Sequence, residues 1–249
     1  MSRLSVRVLI ATTLLLSAAY ILSCAGLPSK NSSLHPRDSF LFIQRSTTVT
    51  TCVADKCKDE SHKISGSGFV VDVTLEGSIA LTAGHVCAPL QGDKSVFFIE
   101  VREFTSMKAT LSSGELVDIE ILAMYEDQDL CVVLIPNISL VEVPVADKAP
   151  TYGDKVHTLA APLGIYRPKA VPIFSGSYFG AFEDVSADLY SIPTIFGSSG
   201  SPILNEAGEV VGVTSRSYPA FPQIAMSPRY EDVRKLIDEI KNGKMPYSL

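Results

Sequence analysis

The sequence predicts an all-β protein built from two successive sets of short strands and closed by a single helix. Three observations carry that expectation. From Phe40 onward, apolar and polar residues alternate in short runs bounded by Gly, Asp, Ser or Lys-rich turns, the period of half-buried strands. The runs follow one another without intervening helical patterns, which favours a barrel or sandwich over βαβ units. Only the last segment places its apolar residues at helical spacing.

Taken in order, residues 1–23 carry Arg3 and Arg7 ahead of an almost wholly apolar tract at 8–22. A basic head, an apolar middle and a small-residue exit are the pattern of a secretory signal. Cys24 after Ser23 resembles a bacterial lipobox, which makes Cys24 a candidate for lipidation and membrane attachment. Cleavage nearby without lipid is one alternative, and an uncleaved anchor is another, since the tract is barely long enough to span. Residues 24–38 are polar and Pro/Ser-rich, the composition of a flexible tether. A first set of strand patterns falls at 41–50, 67–73, 78–84, 95–101, 115–125 and 130–135. Residues 143–149, with Pro144 inside, read as the crossing to a second set at 155–161, 170–182, 188–195, 209–217 and 221–227. The expected bounds of the two sets are about 39–145 and 146–227. Tyr230, Val233, Leu236, Ile237 and Ile240 share one helical face within 228–241, and Asn242-Gly243 supplies the stop.

The 249 residues are 46% hydrophobic and 19% charged, ample for a globular core. Loss of residues 1–23 removes two arginines and no acid, so the mature chain is more acidic than the −6 of the full sequence. That charge argues against nucleic acid or anionic lipid as the main partner. With Cys24 set aside, Cys52, Cys57, Cys87 and Cys131 remain, an even number suited to an oxidising compartment. Cys52 and Cys57 are close enough in sequence to close a small hairpin. A C-x4-C spacing with no companion histidine cluster does not make a zinc site, and no metal or cofactor is implied.

Residues 197–202, Gly-Ser-Ser-Gly-Ser-Pro, stand just ahead of a hairpin pattern at 203–213. They read either as a tight loop or as a strained turn exposing the Ser199 hydroxyl beside backbone N–H groups. Two other segments bear on the choice. His85 ends the apolar run Ala-Leu-Thr-Ala-Gly-His, and Asp129 stands at the mouth of the buried-strand pattern Leu-Cys-Val-Val-Leu-Ile. A hydroxyl, an imidazole to take its proton and a carboxylate to fix the imidazole tautomer are the three parts of one nucleophilic device.

With these residues in view, the chain resembles the chymotrypsin-fold serine proteases. Its likeness is to the bacterial trypsin-like branch that includes the HtrA/Deg proteases and the glutamyl endopeptidases. GSGFVVDVTLEGSIALTAGHVC at 66–87 resembles that family's strand–turn–strand–histidine unit, and DLCVVLI at 129–135 resembles its aspartate strand. YGDKVHTLAAPLG at 152–164 is similar to the first strand of the second barrel, and GSSGSPILNEAGEVVGV at 197–213 to the nucleophile loop and hairpin. The resemblance covers roughly residues 40–227 and leaves no length for an appended PDZ-type module. It implies two antiparallel β-barrels of about six strands each with the site in the cleft between them. It also implies a serine endopeptidase acting on polypeptide through His85, Asp129 and Ser199, by way of an acyl-enzyme. Gly197 and Ser199 supply the oxyanion N–H groups, and Thr194, Val213, Thr214 and Ser215 border the substrate. If such a site is assembled, the segments of Cys87 and Cys131 are neighbours and their pairing is geometrically conceivable, with two buried thiols as the alternative.

Departures from the family pattern narrow the expectation. Ser198 stands where trypsin-type zymogens carry an aspartate, which argues against activation by a new N-terminal amine. Pro193, six residues before the nucleophile, occupies the place of the acid that selects Lys or Arg. Thr214 follows Gly212-Val213 where glutamyl endopeptidases place a histidine, so a Glu preference loses its main support. The expected preference is a small or medium apolar residue on the acyl side of the cut. A protease-like binding module without activity and an esterase using the same three residues are the competing readings. His157 falls within a strand pattern and reads as structural, while His62 is expected in a charged loop.

Overall fold

The computed structural model describes residues 36–53, 56–89, 99–218 and 221–244. The signal-like tract, Cys24 and all but the end of the tether lie outside the described residues. Among the described residues no helix is long and apolar enough to cross a membrane.

The first sheet holds β1 (Phe40–Val53), β2 (Lys56–Val73), β3 (Gly77–Ala83), β4 (Ile99–Thr110), β5 (Leu116–Asp118), β6 (Glu120–Tyr125) and β7 (Leu130–Pro136). Their spatial order is β5-β4-β1-β2-β3-β7-β6, and every adjacent pair is antiparallel. The edge strands β5 and β6 are separated in sequence by Ile119 alone. A sheet whose two edges are one residue apart in sequence has to curl so that they approach each other.

The second sheet repeats the device. It holds β8 (Lys155–Leu159), β9 (Ile173–Phe182), β10 (Ala187–Tyr190), β11 (Pro202–Asn205), β12 (Val210–Val213), β13 (Arg216–Tyr218) and β14 (Phe221–Pro228). The order is β12-β11-β8-β9-β10-β14-β13, so the edges β12 and β13 are joined by Thr214 and Ser215. The architecture is thus all-β with two curled antiparallel sheets and a C-terminal helix. Each sheet has seven strands where about six were expected. In the first sheet the single pattern at 115–125 divides at Ile119 into β5 and β6. In the second, the pattern at 209–217 breaks at Thr214-Ser215 into β12 and β13. Both extra strands, β5 and β13, are three-residue edges.

The segment between the sheets hydrogen-bonds to both. The Val143 N–H donates to the Val70 carbonyl of β2, and the Ala146 N–H donates to the Val210 carbonyl of β12. β3 is buried on both faces. Ile79 and Leu81 enter a core shared with Leu159, Leu204 and Val213 of the second sheet, whereas Ala80, between them, enters the interior of the first sheet with Leu41, Ile43 and Val70. Side chains that alternate across a strand produce this division. The final helix, α2 (Tyr230–Lys241; the single turn α1, Gly84–Cys87, is described with the site), buries Val233, Leu236, Ile237 and Ile240 in the shared core. Its first N–H, from Tyr230, donates to the buried carboxylate of Asp188 at 2.7 Å, a cap borrowed from β10.

Both pairs of cysteines are joined. Cys52 and Cys57 face each other across the β1–β2 hairpin, and Cys87 is bonded to Cys131 of β7. His62, expected in a loop, lies instead in the exposed half of β2, paired with Thr47 of β1. His157 lies in β8 with its ring Nδ1 3.0 Å from the Ser175 hydroxyl.

The Cys87–Cys131 bond closes a sequence separation of 44 residues. Loop-closure entropy at that length makes the double substitution Cys87→Ala/Cys131→Ala destabilising by about 2–4 kcal/mol. The expected outcome is a lower urea midpoint than wild type, measured on non-reduced protein.

Candidate active site

Three turns bring the site together. α1 (Gly84–Cys87) is a single helical turn immediately after β3, and it lifts His85 out of the sheet. Asp129 closes the turn before β7, with its N–H donating to the Glu126 carbonyl and a φ of 51°. Aspartate tolerates this left-handed conformation better than most side chains do. The Gly84 N–H donates to the Asp129 carbonyl at 2.8 Å, and the disulfide holds the far end of α1 to the second residue of β7. The histidine and aspartate segments are therefore tied together by backbone and covalent links before any side chain acts.

Ser199 lies between Gly197 (φ 93°) and Gly200 (φ 87°). A Cβ on Gly200 would stand 2.0 Å from the Ser67 carbonyl, and one on Gly197 would stand 2.3 Å from the Ala161 carbonyl. Both positions require glycine, for their φ and for close approach.

The three side chains form a continuous relay. His85 Nε2 is 2.8 Å from Ser199 Oγ. His85 Nδ1 is 2.9 Å and 3.1 Å from the two Asp129 oxygens. The backbone N–H of His85 donates to the same carboxylate at 2.8 Å. With the Nδ1 proton directed at Asp129, Nε2 is left as an acceptor for the serine hydroxyl. Ser199 Oγ is also 3.3 Å from the Ser215 carbonyl, but the single hydroxyl proton has the shorter and more basic partner in His85. The His85 side chain is 48% exposed and that of Asp129 only 13%. The imidazole is open to an incoming group, while its carboxylate partner is shielded.

Burial pushes the Asp129 carboxyl up, but hydrogen bonds from His85 and Ser215 outweigh it and hold the group below the ordinary carboxylate range. The Ser215 hydroxyl donates directly to Asp129 Oδ2 across the two sheets.

The backbone beside Ser199 presents two donors. A trans peptide plane points its N–H opposite its carbonyl. The Phe196 carbonyl accepts from the Leu163 N–H at 2.6 Å, so the Gly197 N–H points the other way. The Ser198 carbonyl accepts from the Ser201 N–H at 3.1 Å, which directs the Ser199 N–H likewise. Neither N–H has a hydrogen-bond partner among the described residues.

Of the residues expected to border the substrate, Thr194 and Ser215 line the cleft that contains His85 and Ser199. Val213 and Thr214 do not. Val213, the last residue of β12, faces the shared core. Thr214 is buried, and its backbone instead holds the nucleophile loop, accepting from the Gly200 N–H at 2.6 Å and donating to the Ser201 carbonyl at 2.9 Å. The remaining wall is supplied by Ile64, Ile195, Phe196, Arg216 and Pro222. Pro193 is exposed and outside this lining, and Ser198 is buried beneath the loop. Sequence reasoning placed Ser215 beside the substrate; its additional bond to Asp129 had no local signal. Among the described residues no cluster of His, Cys, Asp or Glu is arranged to hold a metal.

The curled sheets and this constellation define a chymotrypsin-fold serine protease. A family model described as trypsin-like peptidase domain matches residues 66–213, more than half of the sequence. The chain belongs to the trypsin-like peptidase family and is a serine peptidase hydrolase. Among solved structures, a serine endoprotease from Yersinia pestis is similar, with a TM-score of 0.57 and 16% identity, covering 87% of this chain and 69% of that one. At that identity the likeness carries the fold. No curated protein matches the sequence.

The depressed ionisation of Asp129 has a stability consequence. Its folded carboxyl ionises below the unfolded one, so the folded state binds fewer protons and this contribution is lost as pH falls through the folded value. The stability advantage of wild type over Asp129→Asn should be full near pH 7. It should shrink below about pH 4, the unfolded aspartate value, as measured by urea unfolding at a series of pH values.

Proposed function

We propose that the protein is an exported serine endopeptidase in which Ser199, His85 and Asp129 act as a catalytic triad. The observation that carries this reading is the relay of 2.8 Å and 2.9 Å contacts from Ser199 through His85 to Asp129. Ser199 Oγ attacks the carbonyl carbon of a peptide bond while its proton passes to His85 Nε2. The carbonyl oxygen gains negative charge and is received by the N–H groups of Gly197 and Ser199, each of which typically contributes about 3 kcal/mol to such a transition state. Collapse of the tetrahedral intermediate breaks the C–N bond, and His85 returns the proton to the leaving amine. Water, deprotonated by the same imidazole, then hydrolyses the acyl-serine. Asp129 keeps the imidazole oriented and stabilises its charged form.

The cleft supports a preference for a small or medium apolar residue on the acyl side of the cut. Ile64, Ile195 and Pro222 line it, and among the described residues no carboxylate does. Activation by a new N-terminal amine is disfavoured because the residue before the nucleophile is the buried, neutral Ser198. Two disulfides suit an oxidising compartment and support export.

A fluorophosphonate probe should label the wild type and leave Ser199→Ala unlabelled; a folded wild type that takes no label overturns the reading. Cleavage-site profiling on a peptide library should return apolar residues before the cut. Enrichment of Lys, Arg or Glu there would overturn the assigned preference.

A further inference from the structure

We propose that Ser67 is a positioning residue for the oxyanion donors, holding the nucleophile loop in shape from β2 without touching the substrate. The inference rests on the peptidase reading above and adds a residue to it.

Ser67 is fully buried and does not line the cleft. Its hydroxyl donates to the Gly197 carbonyl at 2.8 Å and accepts from the Ala161 N–H at 3.1 Å. Its own N–H donates to the Ser199 carbonyl at 2.7 Å, and its carbonyl accepts from the Thr82 hydroxyl at 2.7 Å. All of its hydrogen-bonding groups are engaged, two of them on the nucleophile loop.

The significance lies in which peptide planes are held. The oxyanion donors belong to the planes 196–197 and 198–199. Ser67 grips the planes on either side of the second donor: the hydroxyl fixes 197–198 through the Gly197 carbonyl, and the N–H fixes 199–200 through the Ser199 carbonyl. The hydroxyl also joins that loop to Ala161, and the Leu163 N–H from the same turn holds the 196–197 plane. One side chain thus connects both donors to the first sheet. Glycine at 197 and 200 lets the loop adopt this shape, but glycine equally lets it leave. The backbone bond from Ser67 survives any substitution of its side chain, whereas the bond to Gly197 depends on the hydroxyl alone. Without it, a buried carbonyl and a buried N–H lose their partners together, and rotation of the 197–198 plane relieves them.

The test compares wild type, Ser67→Ala and Thr158→Val on the best peptide of the library and on a peptide aldehyde of the same sequence. Thr158 is also buried, with its hydroxyl on the Pro202 carbonyl, so it controls for the loss of a buried hydrogen bond as such. Ser67→Ala should lower kcat by about 10–100-fold with KM within about twofold, because donors moved by a fraction of an ångström fail the transition state more than the ground state. Aldehyde affinity should fall in parallel with kcat/KM, and Thr158→Val should change kcat far less at a comparable loss of Tm. If Ser67→Ala does not fold, Ser67→Cys carries the same comparison, with a smaller fall in kcat expected from its weaker donor. A kcat within twofold of wild type, or a loss no greater than that of Thr158→Val, overturns the proposal. An inert wild type would instead remove the peptidase reading on which it stands.

Discussion

The carboxylate of Asp129 accepts hydrogen bonds from the His85 backbone, the His85 ring and the Ser215 hydroxyl, and through them the two sheets meet. The first two donors come from α1 on the first sheet, and the third from the two-residue step that closes the second sheet. A shielded anion with three donors is well compensated for its burial, whereas the same anion with one donor would be costly. The angle of the imidazole, and so the direction in which Nε2 faces Ser199, depends on this arrangement.

Closure of the sheets makes that meeting possible. Each sheet joins its two edges across one or two residues, and the joining residues of the second sheet are Thr214 and Ser215. The backbone of Thr214 clamps Gly200 and Ser201. The Ser215 hydroxyl reaches Asp129. A single dipeptide therefore serves both the nucleophile loop and the acid, the first residue through its backbone and the second through its side chain.

Much of the architecture was legible from periodicity. β1 and β8 follow alternating runs, β3 and β7 short continuous apolar runs, and α2 a run at helical spacing, and such local rules survive in the folded chain. The breaks at Ile119 and at Thr214-Ser215 were not legible, because both pieces of each run alternate in the same way and only their opposite places in the sheet separate them. Val213 and Thr214, expected to border the substrate, lie outside the lining of the cleft for a related reason. Proximity in sequence to a cleft residue says nothing about the face a side chain takes once a strand ends.

By itself, the sequence determined the all-β class, the final helix, the glycines that shape the nucleophile loop, and the three residue types that a hydroxyl-based relay needs. These follow from backbone sterics and from chemistry carried by single residues. Tertiary structure alone decided which cysteines pair, that Ser215 bonds to Asp129, and that the Ser67 hydroxyl reaches Gly197 across 130 residues of sequence. Those outcomes depend on which distant backbones are brought within about 3 Å, the range over which a hydrogen bond forms. No local pattern records that distance.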